Sequence, residues 1–330
     1  MDTIYIERDI IKLPRTKAIL DRYPMARQIT IDRYSDVFNA PGQNFRVQKS
    51  NPALILANKH GNRVIATPPG YHIGGKHNYY FSHMLNCIYD CRYCYLQGMY
   101  RSANYVLFVN YDDFFEDICA KTNSHRSPSW FFSGYDCDSL ALEPMTKFMS
   151  DCLDAFSKMP KANLEIRTKS TQIRSLLTRP AIDNCVVAYS LSPEPIVSQE
   201  EHKTPSLDKR ISTLKTLQQD GWRIGLRFDP LLKTDNAAQL YSKFFEQVFS
   251  ELDQSAIHSV SLGPFRLPKP FFKKMIRLYP DSKLLAANMN VRENMISYDE
   301  KTETDLLNYC ETQLQEYITP EQYFPCVSIT

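Results

Sequence analysis

No stretch of this 330-residue sequence approaches the ~18 to 20 consecutive apolar residues that span a bilayer. No membrane association is therefore expected. Neither charge is in surplus: 39 Lys and Arg face 37 Asp and Glu, a formal net charge of +2. A uniformly basic nucleic-acid coat is excluded, although a local basic groove fits inside a balanced total. No internal repeat of solenoid period and no low-complexity tract is present. Met1 to Asp9 has no apolar leader core, so a cytoplasmic location is expected. The even cysteine count of a small disulfide scaffold is missing too: there are nine cysteines, in a chain long enough to bury its own core.

What is present is an ordinary globular composition, 43% hydrophobic and 23% charged, with an alternating pattern of elements. Strands are expected at Tyr79–Met84, Ser129–Gly134, Asn163–Thr168, Cys185–Leu191, Trp222–Phe228 and His258–Leu262. Helices are expected around Tyr111–Ala120, Pro144–Met159, Thr171–Leu177, Ser206–Gln219, Ala237–Leu252 and Pro270–Leu278. Six βα units imply an α/β fold with a parallel sheet, too few for a closed eightfold barrel. A partial (β/α)6 TIM-type barrel over 76–282 is expected. A small N-terminal accessory region (1–75) precedes it and a C-terminal cap (283–330) follows. Ligands belong at the carboxyl ends of such strands.

Six cysteines are scattered singly and read as packing thiols in a reducing compartment. The other three, Cys87, Cys91 and Cys94, follow the first barrel strand with C-x3-C-x2-C spacing. Three thiolates so spaced can hold one face of a [4Fe–4S] cluster and leave one iron open. An open iron can chelate the amino and carboxylate groups of S-adenosyl-L-methionine, and Tyr93 would lie near its adenine. A rival is a zinc site made of His83 with the same three cysteines.

At these residues the sequence resembles the radical S-adenosylmethionine superfamily, and within it the spore photoproduct lyase family of DNA-repair enzymes. Cys91-Arg92-Tyr93-Cys94-Tyr95-Leu96-Gln97 is similar to the family's C-x-Y-C-Y-L-Q run. Leu164–Lys169, Tyr189–Ser192 and Gly221–Leu226 resemble its later strand motifs. The resemblance implies a [4Fe–4S] cluster on Cys87, Cys91 and Cys94. It implies S-adenosyl-L-methionine contacts at Lys169 and Ser190, and an electron donor of flavodoxin or ferredoxin type. It also implies radical chemistry beside Tyr93 and Tyr95, on a DNA lesion or another nucleobase-like group.

The sequence departs from the family at two places. The hydrogen-donating cysteine after the second strand aligns with Tyr135, and Cys137 lies two residues on. The basic hairpin that works against damaged DNA is shortened to Asn290–Asn294 with Tyr298. A nucleic-acid-binding relative without catalysis therefore stands as an alternative, beside a zinc-stabilised binding protein. Ser133 and Gly134 form a turn that could approach the cofactor's amino group. Arg227 and Asp229 share one side of their strand, either contacting cofactor or substrate or forming a structural ion pair. Glu200-Glu201-His202-Lys203 reads as a solvated loop.

Overall fold

The computed structural model describes residues 1–326. The last four residues of the expected cap lie outside the described residues.

Two parallel sheets organise the chain. The first contains β1 (Thr3–Glu7), β2 (Arg27–Ile31), β3 (Leu54–Ala57) and, from much later, β5 (Tyr105–Phe108). Its order is β2-β1-β3-β5, with Met84–Leu85 added antiparallel to β5. The second holds the six strands of the partial barrel, adjacent in chain order, with Val64–Ala66 added antiparallel at the edge against His77–Phe81. They are β4 (His77–Phe81), β6 (Ser129–Ser133), β7 (Ala162–Thr168), β8 (Cys185–Ser190), β9 (Arg223–Leu231) and β10 (Ile257–Pro264). All five junctions between them are parallel. Strands covered on both faces read as continuous apolar runs, as in Cys185-Val186-Val187-Ala188-Tyr189, all buried.

The open edge beyond β10 is not bare. Tyr323 bridges Val260, Phe324 N–H donates to the Val260 carbonyl (2.9 Å), and Cys326 N–H donates to the Leu262 carbonyl (2.8 Å). The C-terminal tail thus takes the next sheet position, which satisfies edge groups that would otherwise invite pairing.

The N-terminal sheet crosses the expected boundary at residue 75, because β5 and Met84–Leu85 belong to it. These two strands bracket the cysteine loop. Asn86 Nδ2 ties the loop's ends together, donating to the carbonyls of Ser102 (2.8 Å) and Asn104 (2.7 Å). The helix expected from Pro144 to Met159 is broken at Lys147, whose φ of 56° resets the axis between Glu143–Thr146 and Phe148–Phe156. The helix expected from Thr171 begins only at Arg174.

Inside the barrel, Arg227 of β9 reaches across β8 to Glu165 of β7 (2.8 Å), and both are fully buried. Arg227 also donates to the Ser259 carbonyl (3.0 Å) and hydroxyl (2.8 Å), and Arg167 adds a second cation 2.9 Å from Glu165. Gly225 makes room, since a Cβ there would meet Arg227 Nη2 at 2.8 Å. Burial opposes charge on Glu165, yet Arg227 and Arg167 hold its carboxyl at about 2. That depressed value stabilises the fold above the unfolded carboxyl pKa of about 4.3, and the contribution is lost as pH falls towards 2. Glu165→Gln leaves Arg227 without a buried counter-charge, at a cost of about 3–5 kcal/mol by urea unfolding. Adding Arg227→Met is expected to recover part of the loss, and a simple sum of the two penalties would contradict the pairing.

Candidate active site

The carboxyl ends of the barrel strands open into a cavity of about 1360 Å³. The thiols of Cys87, Cys91 and Cys94 line it, with Tyr93 and Tyr95 of the same loop. From the strand ends come Ser133, Gly134, Tyr135 and Cys137, then Lys169, Ser190 and Asp229. Arg227 does not line this cavity, nor do His83, Tyr298 or the run 200–203. Arg227 is engaged in the interior ion pair, so of its two readings the ion pair, not the cofactor contact, describes it.

The cysteine loop is fixed by its neighbours. Asp90–Cys91 pairs antiparallel with Glu201–His202, Arg92 N–H donates to the Glu200 carbonyl (2.7 Å), and Cys94 N–H closes a turn on Cys91 (3.1 Å). The polar run at 200–203 is therefore solvated only in its second half: Glu200 and Glu201 are buried, while His202 and Lys203 are exposed. Glu201 is buried and accepts from Tyr93 Oη, Ser192 Oγ and Arg210, with Lys169 Nζ 3.9 Å away. Burial opposes its charge, but Lys169 and Arg210 keep the carboxyl below its usual range. Lys169 Nζ also sits 5.7 Å from the centre of the Tyr93 ring. Glu201 thus orients Tyr93 and Lys169 from beneath the cavity wall.

Burial pushes all three thiols up, and Lys169 acts against this at Cys91 and Cys94. The donor set fits an iron–sulfur cubane: three unpaired cysteines converge on one cavity beside a cation. It does not fit zinc. Ligand atoms around tetrahedral zinc sit roughly 3.8 Å apart for bonds of about 2.3 Å. Among the described residues, the one trio of His, Cys, Asp or Glu ligand atoms within 4.8 Å of one another is Glu7, Asp9 and His60, all outside this site. His83 instead stacks on Phe148 at 4.1 Å in the core, where burial lowers its pKa to about 3.

Gly134 has φ +77°, and a Cβ there would meet Ser139 Oγ at 2.5 Å and the Arg167 carbonyl at 2.9 Å. Only glycine fits this turn. Ser133 Oγ is engaged within the turn, with Ser139 Oγ (2.7 Å) and the Glu165 carbonyl (3.0 Å). Asp138 anchors the adjoining strand end through Thr168 Oγ1 and Lys169 N–H, each at 2.7 Å. Tyr95 Oη donates to the Tyr135 carbonyl, and the Tyr135 ring stacks on Tyr80 at 4.2 Å. Cys137 is buried, and burial followed by Asp136 and Asp138 pushes its thiol well up, so it stays protonated.

One residue of the cavity was not visible in sequence, and the expected short hairpin supplies others. The tail brings Cys326 into the lining, where Arg266 Nη2 donates to its sulfur (3.0 Å) and burial raises the thiol to about 11. The short antiparallel hairpin of Asn290–Arg292 and Met295–Ser297 contributes Arg292 and Met295 to the lining. Cys326 gave no signal beyond being a cysteine, and the hairpin's Glu293-Asn294 turn depends on two positive φ values.

A six-stranded parallel partial barrel with three convergent thiols at its carboxyl end defines the class of radical S-adenosylmethionine enzymes. The comparisons narrow this further. The family model for spore photoproduct lyase matches residues 1–326, and the chain belongs to that family. It is 23% identical over 290 residues to the spore photoproduct lyase of Bacillus subtilis strain 168, covering 85% of this chain and 83% of the relative. A solved spore photoproduct lyase double mutant with bound AdoMet and dinucleoside spore photoproduct superposes with a TM-score of 0.84. That match is 17% identical and covers 98% of this chain and 97% of the other. Spore photoproduct lyase complexed with the dinucleoside alone gives 0.83 at 17% identity, over 98% and 97% of the two chains. None of the helices among the described residues is long and apolar enough to cross a membrane.

Proposed function

We propose that this chain restores thymines from a thymine photoproduct in DNA, with a [4Fe–4S] cluster on Cys87, Cys91 and Cys94 and with S-adenosyl-L-methionine as co-substrate. The observation that carries the reading is the convergence of those three thiols, Lys169 and Cys137 on one large cavity. When bound and reduced on Cys87, Cys91 and Cys94, the cluster with its ligand would supply the radical chemistry that abstracts hydrogen from the substrate.

The chain's own residues bind, orient and shield. Lys169 offers its ammonium to the cofactor's carboxylate, held in place by Glu201. Gly134 lets backbone approach the cofactor's amino group, and Ser190 and Asp229 face the same space. Tyr93 and Tyr95 border the radical path, and their buried hydroxyls have fixed acceptors. Cys137 holds a hydrogen on sulfur for return to the product radical, and one further electron from the carrier with a solvent proton would restore the thiol. Arg292 and the rest of the short hairpin meet the nucleotide at the mouth. An electron carrier of flavodoxin or ferredoxin type would supply the reducing electron.

The test is anaerobic reconstitution with iron and sulfide, followed by incubation with cofactor, dithionite and dinucleoside spore photoproduct. Free thymine units and 5′-deoxyadenosine are expected together. Cofactor cleavage that leaves the photoproduct intact would assign another substrate to the cavity.

A further inference from the structure

A second cleft, of about 560 Å³, lies on the other side of the cysteine loop. Its lining includes Asp90 and Arg92, the neighbours of Cys91, and Glu200 and His202 from the segment paired with that loop. Lys49 lines both this cleft and the large cavity, so the wall between them is the cysteine loop with its Lys49 buttress. A redox centre resting in the cleft lies against Asp90 and Arg92, the residues on either side of Cys91.

The cleft is positively charged at its rim. Five cationic side chains line it, Arg46, Lys49, Arg92, Lys203 and Lys283, against three carboxylates, Asp90, Glu200 and Asp281. Asp90 is committed to Lys49 (2.5 Å) and Arg92 (3.3 Å), and Glu200 is buried. That leaves Arg46, Lys203 and Lys283 exposed to solvent, opposed at the rim by Asp281. The helix Lys269–Leu278, which leads into the cleft at Leu278 and Tyr279, adds exposed Lys273 and Arg277. Arg92 sits over the Tyr279 ring, its guanidinium carbon 4.0 Å from the ring centre, which gives the floor an aromatic surface. In a chain whose total formal charge is only +2, this concentration of cations behind the cysteine loop is local.

We propose that this cleft is the docking site of the electron donor, an acidic one-electron carrier protein of the ferredoxin or flavodoxin kind. The proposal rests on the radical reading of the site. The carrier is oxidised by one electron and the cluster is reduced by one, with no proton or group transferred. Charge complementarity sets the encounter rate and orientation of such transient complexes. Docking behind the loop leaves the cavity mouth free for DNA, so reduction and substrate binding do not compete.

The test uses the reconstituted full chain and a triple variant, Arg46→Glu, Lys203→Glu and Lys283→Glu, with equal iron content and melting temperature as controls. Binding of oxidised flavodoxin or ferredoxin, read by titration calorimetry, is expected to weaken at least about tenfold in the variant. In the parent it should weaken with added salt. Formation of 5′-deoxyadenosine driven by reduced carrier should fall about as much, while the dithionite-driven rate stays within about twofold. Unchanged carrier affinity in the variant overturns the proposal. So does equal loss with both reductants, which marks damage to the cysteine loop, or weakened duplex DNA binding with carrier binding intact, which assigns the cleft to nucleic acid. A parent protein that binds carrier yet cleaves no cofactor with dithionite would instead sink the radical reading.

Discussion

Cys87→Ala, Cys91→Ala and Cys94→Ala are each expected to abolish 5′-deoxyadenosine formation and to lower bound iron and sulfide sharply. The effect is all-or-none because each cysteine would supply one of three protein bonds to a single cluster. A thiolate is the ligand, and nothing nearby can replace it: His83 is locked against Phe148 and Cys137 belongs to another strand end. Burial makes the empty thiols hard to ionise, so cluster assembly releases protons and is favoured by higher pH during reconstitution. The control is Cys310→Ala. Cys310 is more fully buried than the loop cysteines, on the helix Glu300–Leu314 and away from the cavity lining. It should cost stability through a small void while keeping the full iron content. Iron lost to a similar extent in both kinds of variant would mean that the cysteines report folding alone. Normal turnover in any one ligand variant would end the cluster assignment.

The barrel was legible in the sequence because its signal is local. Strands buried on both faces read as apolar runs, so Cys185–Tyr189 stands out between polar helices. The N-terminal sheet was not legible. Its strands β3 and β5 are four residues each and pair across the whole first barrel strand and cysteine loop. No periodicity within one segment reports such a partner. The break at Lys147 escaped for a related reason: the apolar spacing continues through it. The Glu143 carboxylate caps the second helix at Met149 N–H (2.8 Å) and Ser150 N–H (3.0 Å).

The site divides in the same way. The cysteines, Lys169 and Gly134 were found because their chemistry or backbone role is written at one position. Glu201 was misplaced, and Arg227 left open between ligand contact and ion pair, because a charged residue's location depends on partners from elsewhere. Glu201 is held inside by Arg210, Tyr93 and Ser192, and Arg227 by Glu165 and Ser259. On residue type alone both belong at a surface or against a ligand.

Cys137→Ala is expected to cut thymine restoration at least about tenfold while cofactor cleavage persists, whereas Tyr135→Phe stays within about twofold. The sequence alignment put Tyr135 in the donor position, and the cavity contains both residues. Their surroundings differ. Tyr135 offers its carbonyl to Tyr95 and its ring to Tyr80, and both contacts survive loss of the phenol oxygen. Cys137 offers little except its thiol. Asp136 and Asp138 flank that thiol in a buried setting, which keeps hydrogen on sulfur across the neutral range. A thiolate has no hydrogen atom to give, so this environment suits a donor and would hinder a nucleophile. Because a thiol hydrogen exchanges with solvent, turnover in deuterium oxide should place deuterium in thymine made by the parent, and Cys137→Ala should lose that label. Cys326→Ala is the decisive companion, since it removes the other thiol of the cavity outside the cluster loop. If Cys326→Ala loses the label and Cys137→Ala keeps it, the donor is the tail cysteine and the assignment of Cys137 falls.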